Sequence, residues 1–154
     1  AFIQHYQALK LQKYIAQKRH QHRIRGRVLP QIGIVYRWRS LYIANNRIYV
    51  DQIRTPWFQS AYLINGINIP YYTKADLPHW VTKKANIMRQ INVFYWFCDD
   101  YVAALNRTPL TLGDMRYLYH IKPLTTLWGI KITKTNPNTQ WSKFIKNESK
   151  INEN

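Results

Sequence analysis

Acidic residues are scarce in this sequence. Its 154 residues include 7 Asp and Glu against 23 Lys and Arg, which gives a formal net charge of +16. Ten of the basic residues precede the first acid, Asp51, and both Glu residues fall in the last seven positions. A compact domain with such an excess of one charge repels itself unless a polyanion neutralises it. The composition therefore predicts a nucleic-acid partner, with an anionic membrane surface as the alternative.

Cysteine, glycine and long hydrophobic runs are also scarce. The single Cys98 excludes an intrachain disulfide and a multi-cysteine zinc site, which favours a reducing compartment. The five glycines form no phosphate-binding loop, and this argues against a nucleotide-using enzyme. No run reaches the roughly 20 apolar residues of a membrane-spanning helix. No secretory signal is visible, and the basic, acid-free start of the chain favours the mitochondrial matrix.

A helical period dominates the middle of the chain. Asp76 is a good helix cap, and Pro78 fits a first helical turn, where its missing N–H does no harm. Apolar residues then recur at steps of three and four, at Val81, Met88, Ile91, Tyr95, Cys98, Val102 and Leu105. This spacing predicts one long helix over residues 76–105.

A two-residue period precedes that helix and predicts strands. Over residues 32–39, Ile, Tyr and Trp alternate with Gly, Val and Arg, so a strand here has one apolar and one basic face. Asn45-Asn46 tolerates the positive φ of a tight turn and predicts a hairpin to a second strand at 47–53. Asn65-Gly66 predicts another hairpin, between short strands at 61–64 and 67–72.

The remaining segments complete the predicted fold. Thr111 is a candidate cap for a short helix, and residues 125–133 alternate as a last strand. The predicted fold is α+β, with an antiparallel sheet of about four or five strands packed on the one long helix. We expect a basic N-terminal helix and arm at 1–27, a single α+β domain at 28–134 and a polar C-terminal tail at 135–154.

Candidate catalytic residues are few. Cys98 occupies an apolar helical position, which favours a buried structural cysteine over a thiol nucleophile. Asp99 and Asp100 are the only acidic pair, and adjacent helical positions point about 100° apart, so they cannot face one metal ion together. We predict that the protein is not an enzyme, with no metal, cofactor or small-molecule substrate. The scarce carboxylates are expected to pair with buried arginines.

Clusters of basic residues form the candidate nucleic-acid interface. The planar guanidinium group of arginine suits phosphate, and acids are missing around these positions. The predicted contacts are Lys18, Arg19, Arg23, Arg25, Arg27, Arg37, Arg39, Lys83 and Lys84. Aromatic residues also lie next to arginines over residues 36–39, 54–57 and 116–117, where they can stack on bases. The core is the favoured place for these aromatic residues, and for Tyr36 and Trp38 the strand alternation predicts it.

Three functional hypotheses follow from these patterns. The first is a non-catalytic structural RNA-binding protein of a ribosome-like ribonucleoprotein particle, in contact with structured RNA and with other proteins of the assembly. The second is an accessory subunit of a large complex, such as a mitochondrial membrane complex, because aromatic residues make up 15% of the chain. The third is a DNA-binding protein of a mobile element, with residues 111–121 as its recognition helix.

Overall fold

A computed structural model describes residues 2–31, 33–34 and 36–146 of the chain. The chain divides into two compact units, Ala1–Pro70 and Tyr71–Asn154, each built on an antiparallel sheet. The first sheet has four strands and the second has five. The predicted α+β class is therefore confirmed, whereas the prediction of one sheet packed on one long helix is wrong.

The first unit is a helix followed by a four-stranded meander. Its elements are α1 (Phe2–Lys18), β1 (Arg25–Pro30), β2 (Arg37–Ala44), β3 (Arg47–Arg54) and β4 (Tyr62–Pro70). Each strand pairs antiparallel with the next, in the order β1-β2-β3-β4. Residues 25–27, which the sequence assigned to the basic arm, are paired with β2. One face of the sheet packs against α1 through a small core of Ala8, Ile15, Val28, Trp38 and Ile53.

The predicted hairpin at Asn45-Asn46 is confirmed. Ala44 and Arg47 are the last cross-strand partners of β2 and β3, so the two asparagines alone form the turn. Their φ angles are +49° and +57°, in the left-handed region that a two-residue hairpin requires and that Asn tolerates. The turn is thus specified by residues within the turn itself.

The predicted hairpin at Asn65-Gly66 is wrong. Both residues lie inside β4, where Asn65 is opposite Gln52 and Gly66 is opposite Asp51. A Cβ atom added at Gly66 would lie 1.9 Å from an Asp51 carboxylate oxygen. Glycine is therefore needed here because the side chain of Asp51 on β3 occupies the space above it. From the sequence alone, this glycine was mistaken for part of a turn.

The strand predicted to begin at residue 32 begins at Arg37. Gly33 and Tyr36 have φ angles of +77° and +65°, so the chain turns between β1 and β2 before the second strand starts. Ile32 and Val35 lie outside the described residues. The alternating pattern continues through this turn, and the predicted strand was therefore too long at its start.

The second unit combines short helices with a five-stranded sheet. A 3₁₀ turn at Lys74–Asp76 precedes α2 (His79–Thr82) and α3 (Ala85–Phe97). The strands are β5 (Val102–Arg107), β6 (Leu110–Asp114), β7 (Leu118–Ile121), β8 (Leu124–Ile132) and β9 (Gln140–Lys146). The sheet order is β5-β6-β8-β7, and β9 also pairs with β8. Ile91 and Phe94 of α3 belong to the same buried apolar core as Leu112 and Ile130 of the sheet.

The predicted helix over residues 76–105 is interrupted twice. Lys84 has an extended conformation, with φ −98° and ψ 96°, and it separates α2 from α3. Asp99 and Asp100 have φ angles of +51° and +63°, which no α-helix can continue. The chain then enters β5, so the apolar residues at 102 and 105 belong to a strand although their spacing continued the helical period.

The short helix predicted after Thr111 is also wrong. Residues 110–114 form β6, Met115–Tyr117 form one 3₁₀ turn and Leu118–Ile121 form β7. The proposed DNA-recognition helix over 111–121 is therefore not formed. The predicted last strand is confirmed as β8.

Part of the predicted polar tail is structured. Its residues 140–146 form β9 and pair with β8, whereas residues 147–154 lie outside the described part of the chain. Across the described residues, every helix is too short or too polar to span a membrane.

Candidate nucleic-acid interface

The four-stranded sheet of the first unit packs one face on α1, and its opposite face carries arginines together with the buried side chains of Leu41, Ile43, Ile48 and Val50. The side chains that pack on α1 are Val28 of β1, Trp38 of β2 and Ile53 of β3. On each strand, the residues directly before and after these point to the opposite face. Five arginines share that opposite face, namely Arg25 and Arg27 of β1, Arg37 and Arg39 of β2, and Arg54 of β3. We call this set the arginine face.

The charged residues of the first unit are almost all positive. It contains eleven Lys and Arg and a single acid, Asp51. The strand register places Arg37 directly opposite Arg54. Like charges at directly opposed positions repel and destabilise a sheet. Burial also lowers the pKa of Arg39 from its ordinary value, because partial desolvation disfavours its charged form. The opposed pair Arg37 and Arg54 therefore places two positive charges side by side at a cost to the sheet.

Two of the predicted contacts have structural roles inside the unit. Arg19 donates two hydrogen bonds to the Asp51 carboxylate, at 2.9 and 3.0 Å, and one to the Tyr42 hydroxyl oxygen at 2.6 Å. Asp51 is 1% exposed, and burial raises the pKa of its carboxyl group while the hydrogen bonds from Arg19 oppose that rise. Arg23 donates to the side-chain oxygen of Gln12 at 2.8 Å. Arg19 thus attaches the segment after α1 to the sheet, and Arg23 attaches the following loop to α1.

The predicted lysines belong to other elements than the strands that carry the arginines. Lys18 is exposed at the end of α1, with its ammonium group 5.2 Å from the centre of the Tyr14 ring. Lys83 and Lys84 belong to the second unit. Lys84 donates a hydrogen bond to the backbone oxygen of Lys134 at 2.9 Å, so it ties the start of α3 to the loop after β8.

Comparison with known proteins adds no template for this surface. No protein-family model, curated protein or solved structure matches the chain. What the surface can bind therefore follows from its own side chains.

An aromatic cluster lies beside the arginine face, where the sequence pattern had favoured burial of the aromatic residue Trp57. Trp57 is 57% exposed and Phe58 is 100% exposed, both in the loop between β3 and β4. With Tyr36, Arg54 and Tyr62, they line an open cavity of about 460 Å³. The available signal was Pro56, which ends the strand alternation and places two aromatic residues in a loop next to an arginine.

The core assignment of aromatic residues by strand alternation holds for one of the two predicted cases. Trp38 is buried against α1, and its indole N–H donates to the Thr55 hydroxyl oxygen at 2.8 Å. Tyr36 instead lies at the turn before β2, where it is partly exposed and contacts Trp57. Its positive φ takes it out of the strand alternation on which its predicted burial rested.

The cysteine considered as a candidate nucleophile and the nearby carboxylate of Asp114 are both buried. Cys98 is fully buried, and burial raises the pKa of its thiol, with the nearby Asp114 adding to the rise. Asp114 is itself buried and accepts hydrogen bonds from the backbone and side-chain nitrogens of Arg116. The predicted burial of Cys98 is thus confirmed, as is the pairing of carboxylates with arginines for Asp51 and Asp114. Within the described residues, no three His, Cys, Asp or Glu side chains cluster as metal ligands would.

Proposed function

We propose that the protein binds RNA through the arginine face of its first unit, as a non-catalytic structural component of a ribosome-like ribonucleoprotein particle. The observation that carries this proposal is the opposed pair Arg37 and Arg54, set within a unit that has eleven basic residues and one acid. Phosphates placed between the two guanidinium groups would relieve their mutual repulsion. Release of the RNA's counterions would add to the binding free energy.

Single-stranded and structured RNA both present regularly spaced phosphates that several arginines on one sheet face can contact. Arginine side chains held on neighbouring strands are partly preorganised, so fewer rotamers are lost on binding. Arg19 and Arg23 are hydrogen-bonded within the unit, and the proposed RNA contacts there are centred on the opposed pair Arg37 and Arg54. Localisation in the mitochondrial matrix and association with other proteins of the particle are part of the same proposal.

The double substitution Arg37→Gln and Arg54→Gln should weaken RNA binding and its salt dependence. Each lost phosphate contact lowers the slope of log K against log salt by about 0.7–0.9, so the loss of two contacts should lower it by roughly 1.4–1.8. Folding should be unharmed, because the change removes an unfavourable cross-strand pair. Fluorescence anisotropy of labelled RNA at several salt concentrations measures both quantities.

A matched control removes the same charge elsewhere in the unit. Lys13 is exposed on α1, and Arg47 lies on the α1-side register of the sheet, where it donates to the Asn68 side chain. Lys13→Gln with Arg47→Gln should change the slope less than the arginine-face pair does. Wild-type affinity that does not vary with salt would contradict the proposal.

The accessory-subunit hypothesis remains a second candidate because of α3. Trp96 is 82% exposed and, with Met88, Arg89 and Val93, lines an open cavity of about 590 Å³. A protein partner with an apolar side chain for this cavity and a carboxylate for Arg89 would fit it. Gentle purification separates the two candidates, since RNA raises the 260/280 nm absorbance ratio and a protein subunit does not.

A further inference from the structure

We propose that the loop between β3 and β4 is a stacking platform for an unpaired RNA base. The platform consists of Tyr36, Trp57 and Phe58, with Arg54 at its edge. This inference rests on the proposed function and adds to it the class of RNA: the bound segment is single-stranded where it meets this loop.

The exposure of the platform is the first argument for a ligand. Phe58 is fully exposed at the loop, and Trp57 and Tyr62 are also exposed beside the same cavity. Single exposed apolar residues are common on protein surfaces, but adjoining exposed aromatic residues are enriched where proteins bind partners. The cavity of about 460 Å³ falls in the size range of small-ligand sites.

Hydrogen bonds and ring contacts fix the conformation of the residues that form the platform. Thr55 is buried, its backbone N–H donates to the Tyr36 carbonyl oxygen at 2.9 Å, and its hydroxyl accepts from Trp38. The Trp57 indole N–H donates to the Tyr36 hydroxyl oxygen, and the two rings meet edge to face with centroids 5.8 Å apart. The Trp57 ring is therefore oriented before binding, which reduces the entropy lost when a base stacks.

The charge beside the platform selects the occupant. Arg54 lines the cavity, and Arg37 is its partner across β2 and β3. An aromatic face next to a guanidinium group matches a nucleotide, because the base stacks on the ring while the arginine contacts its phosphate. Bases inside a duplex have both faces covered by their neighbours, so the platform favours an unpaired base over one within a duplex.

The test compares two labelled RNAs with the full-length chain. One is a blunt duplex, and the other is the same duplex with a short single-stranded oligouridine extension. Wild type should bind the extended RNA more tightly. Phe58→Ala and Trp57→Ala should each lower the affinity for the extended RNA by about tenfold and leave duplex binding unchanged. Phe58→Tyr should bind like wild type, because it keeps an aromatic face.

Trp96→Ala is the matched control, since it removes another strongly exposed tryptophan in the second unit. It should bind both RNAs like wild type. Equal affinity of wild type, Phe58→Ala and Trp57→Ala for the extended RNA, with salt-dependent binding retained, would overturn the platform and leave the proposed function standing. Failure of wild type to bind either RNA would overturn both.

Discussion

Replacing Arg19 with Ala should lower the free energy of unfolding by about 3–5 kcal/mol at neutral pH. The reason is the carboxylate that remains, because Asp51 is almost fully buried and Arg19 donates two hydrogen bonds to it. A buried charge without its partner is far more costly than the intact pair is favourable. Urea unfolding of the full chain at pH 7 measures the difference.

The same variant should show a characteristic pH dependence. Loss of Arg19 removes the hydrogen bonds that oppose the rise in the Asp51 pKa, so the folded-state pKa moves further above its unfolded value. Between those two values the folded state binds more protons, and stability therefore falls as pH rises. The deficit relative to wild type should shrink as the pH is lowered toward 4.

Two controls define this prediction. Lys18→Ala removes the adjacent, exposed cation and should change the free energy of unfolding by less than about 0.5 kcal/mol. Arg19→Lys keeps the charge but cannot donate two parallel hydrogen bonds to the carboxylate. Its free energy of unfolding should lie between those of Arg19→Ala and wild type. A loss of stability for Arg19→Ala that is the same at pH 4 and pH 7 would show that an unpaired Asp51 is not its cause.

Gly66→Ala should destabilise the protein by about 2–3 kcal/mol, although the backbone there is ordinary strand. The new methyl group would lie 1.9 Å from the Asp51 carboxylate oxygen, so Asp51 must move and its contact with Arg19 must be disturbed. In an Asp51→Ala background the space is open, and Ala is better suited to a strand than Gly. The same substitution should then be neutral or slightly stabilising.

A double-mutant cycle of Gly66→Ala and Asp51→Ala should therefore give a coupling energy of about 2–3 kcal/mol. Gly33→Ala provides the matched control in the same unit. Gly33 has φ +77° with no atom within 4 Å of an added Cβ, so the substitution strains only the backbone. Its loss of about 1–2 kcal/mol should be equal in both backgrounds. Additive effects of Gly66→Ala and Asp51→Ala would contradict the steric account.

The turns show where local sequence is sufficient. Asn45-Asn46 was predicted correctly because both the turn and its conformational preference lie in two adjacent residues. Asn65-Gly66 has an even stronger turn signal, yet it lies within a strand. The difference comes from Asp51, whose side chain occupies the space above Gly66 and whose position is fixed in turn by Arg19 on another element.

The candidate site also combines features that local sequence predicts with features that depend on the tertiary structure. The alternation of arginines in β2 identified Arg37 and Arg39 as one face, because strand geometry fixes the direction of alternate side chains. The register that opposes Arg54 to Arg37 follows from the two-residue Asn45-Asn46 turn, but the predicted strand ended at residue 53 and so left Arg54 out of the face. The exposure of Trp57 and Phe58 depends on where the loop leaves the sheet.

The sequence by itself determined the excess of positive charge, the α+β class, the N-terminal helix, the Asn45-Asn46 hairpin and the β8 strand. Each depends on composition or on preferences that act within a few neighbouring residues. Only the tertiary structure decided that the central helix ends at Phe97, that two sheets form and that Arg19 is bound to Asp51. These features depend on contacts between residues far apart in the chain, whose free energies outweigh local periodicity.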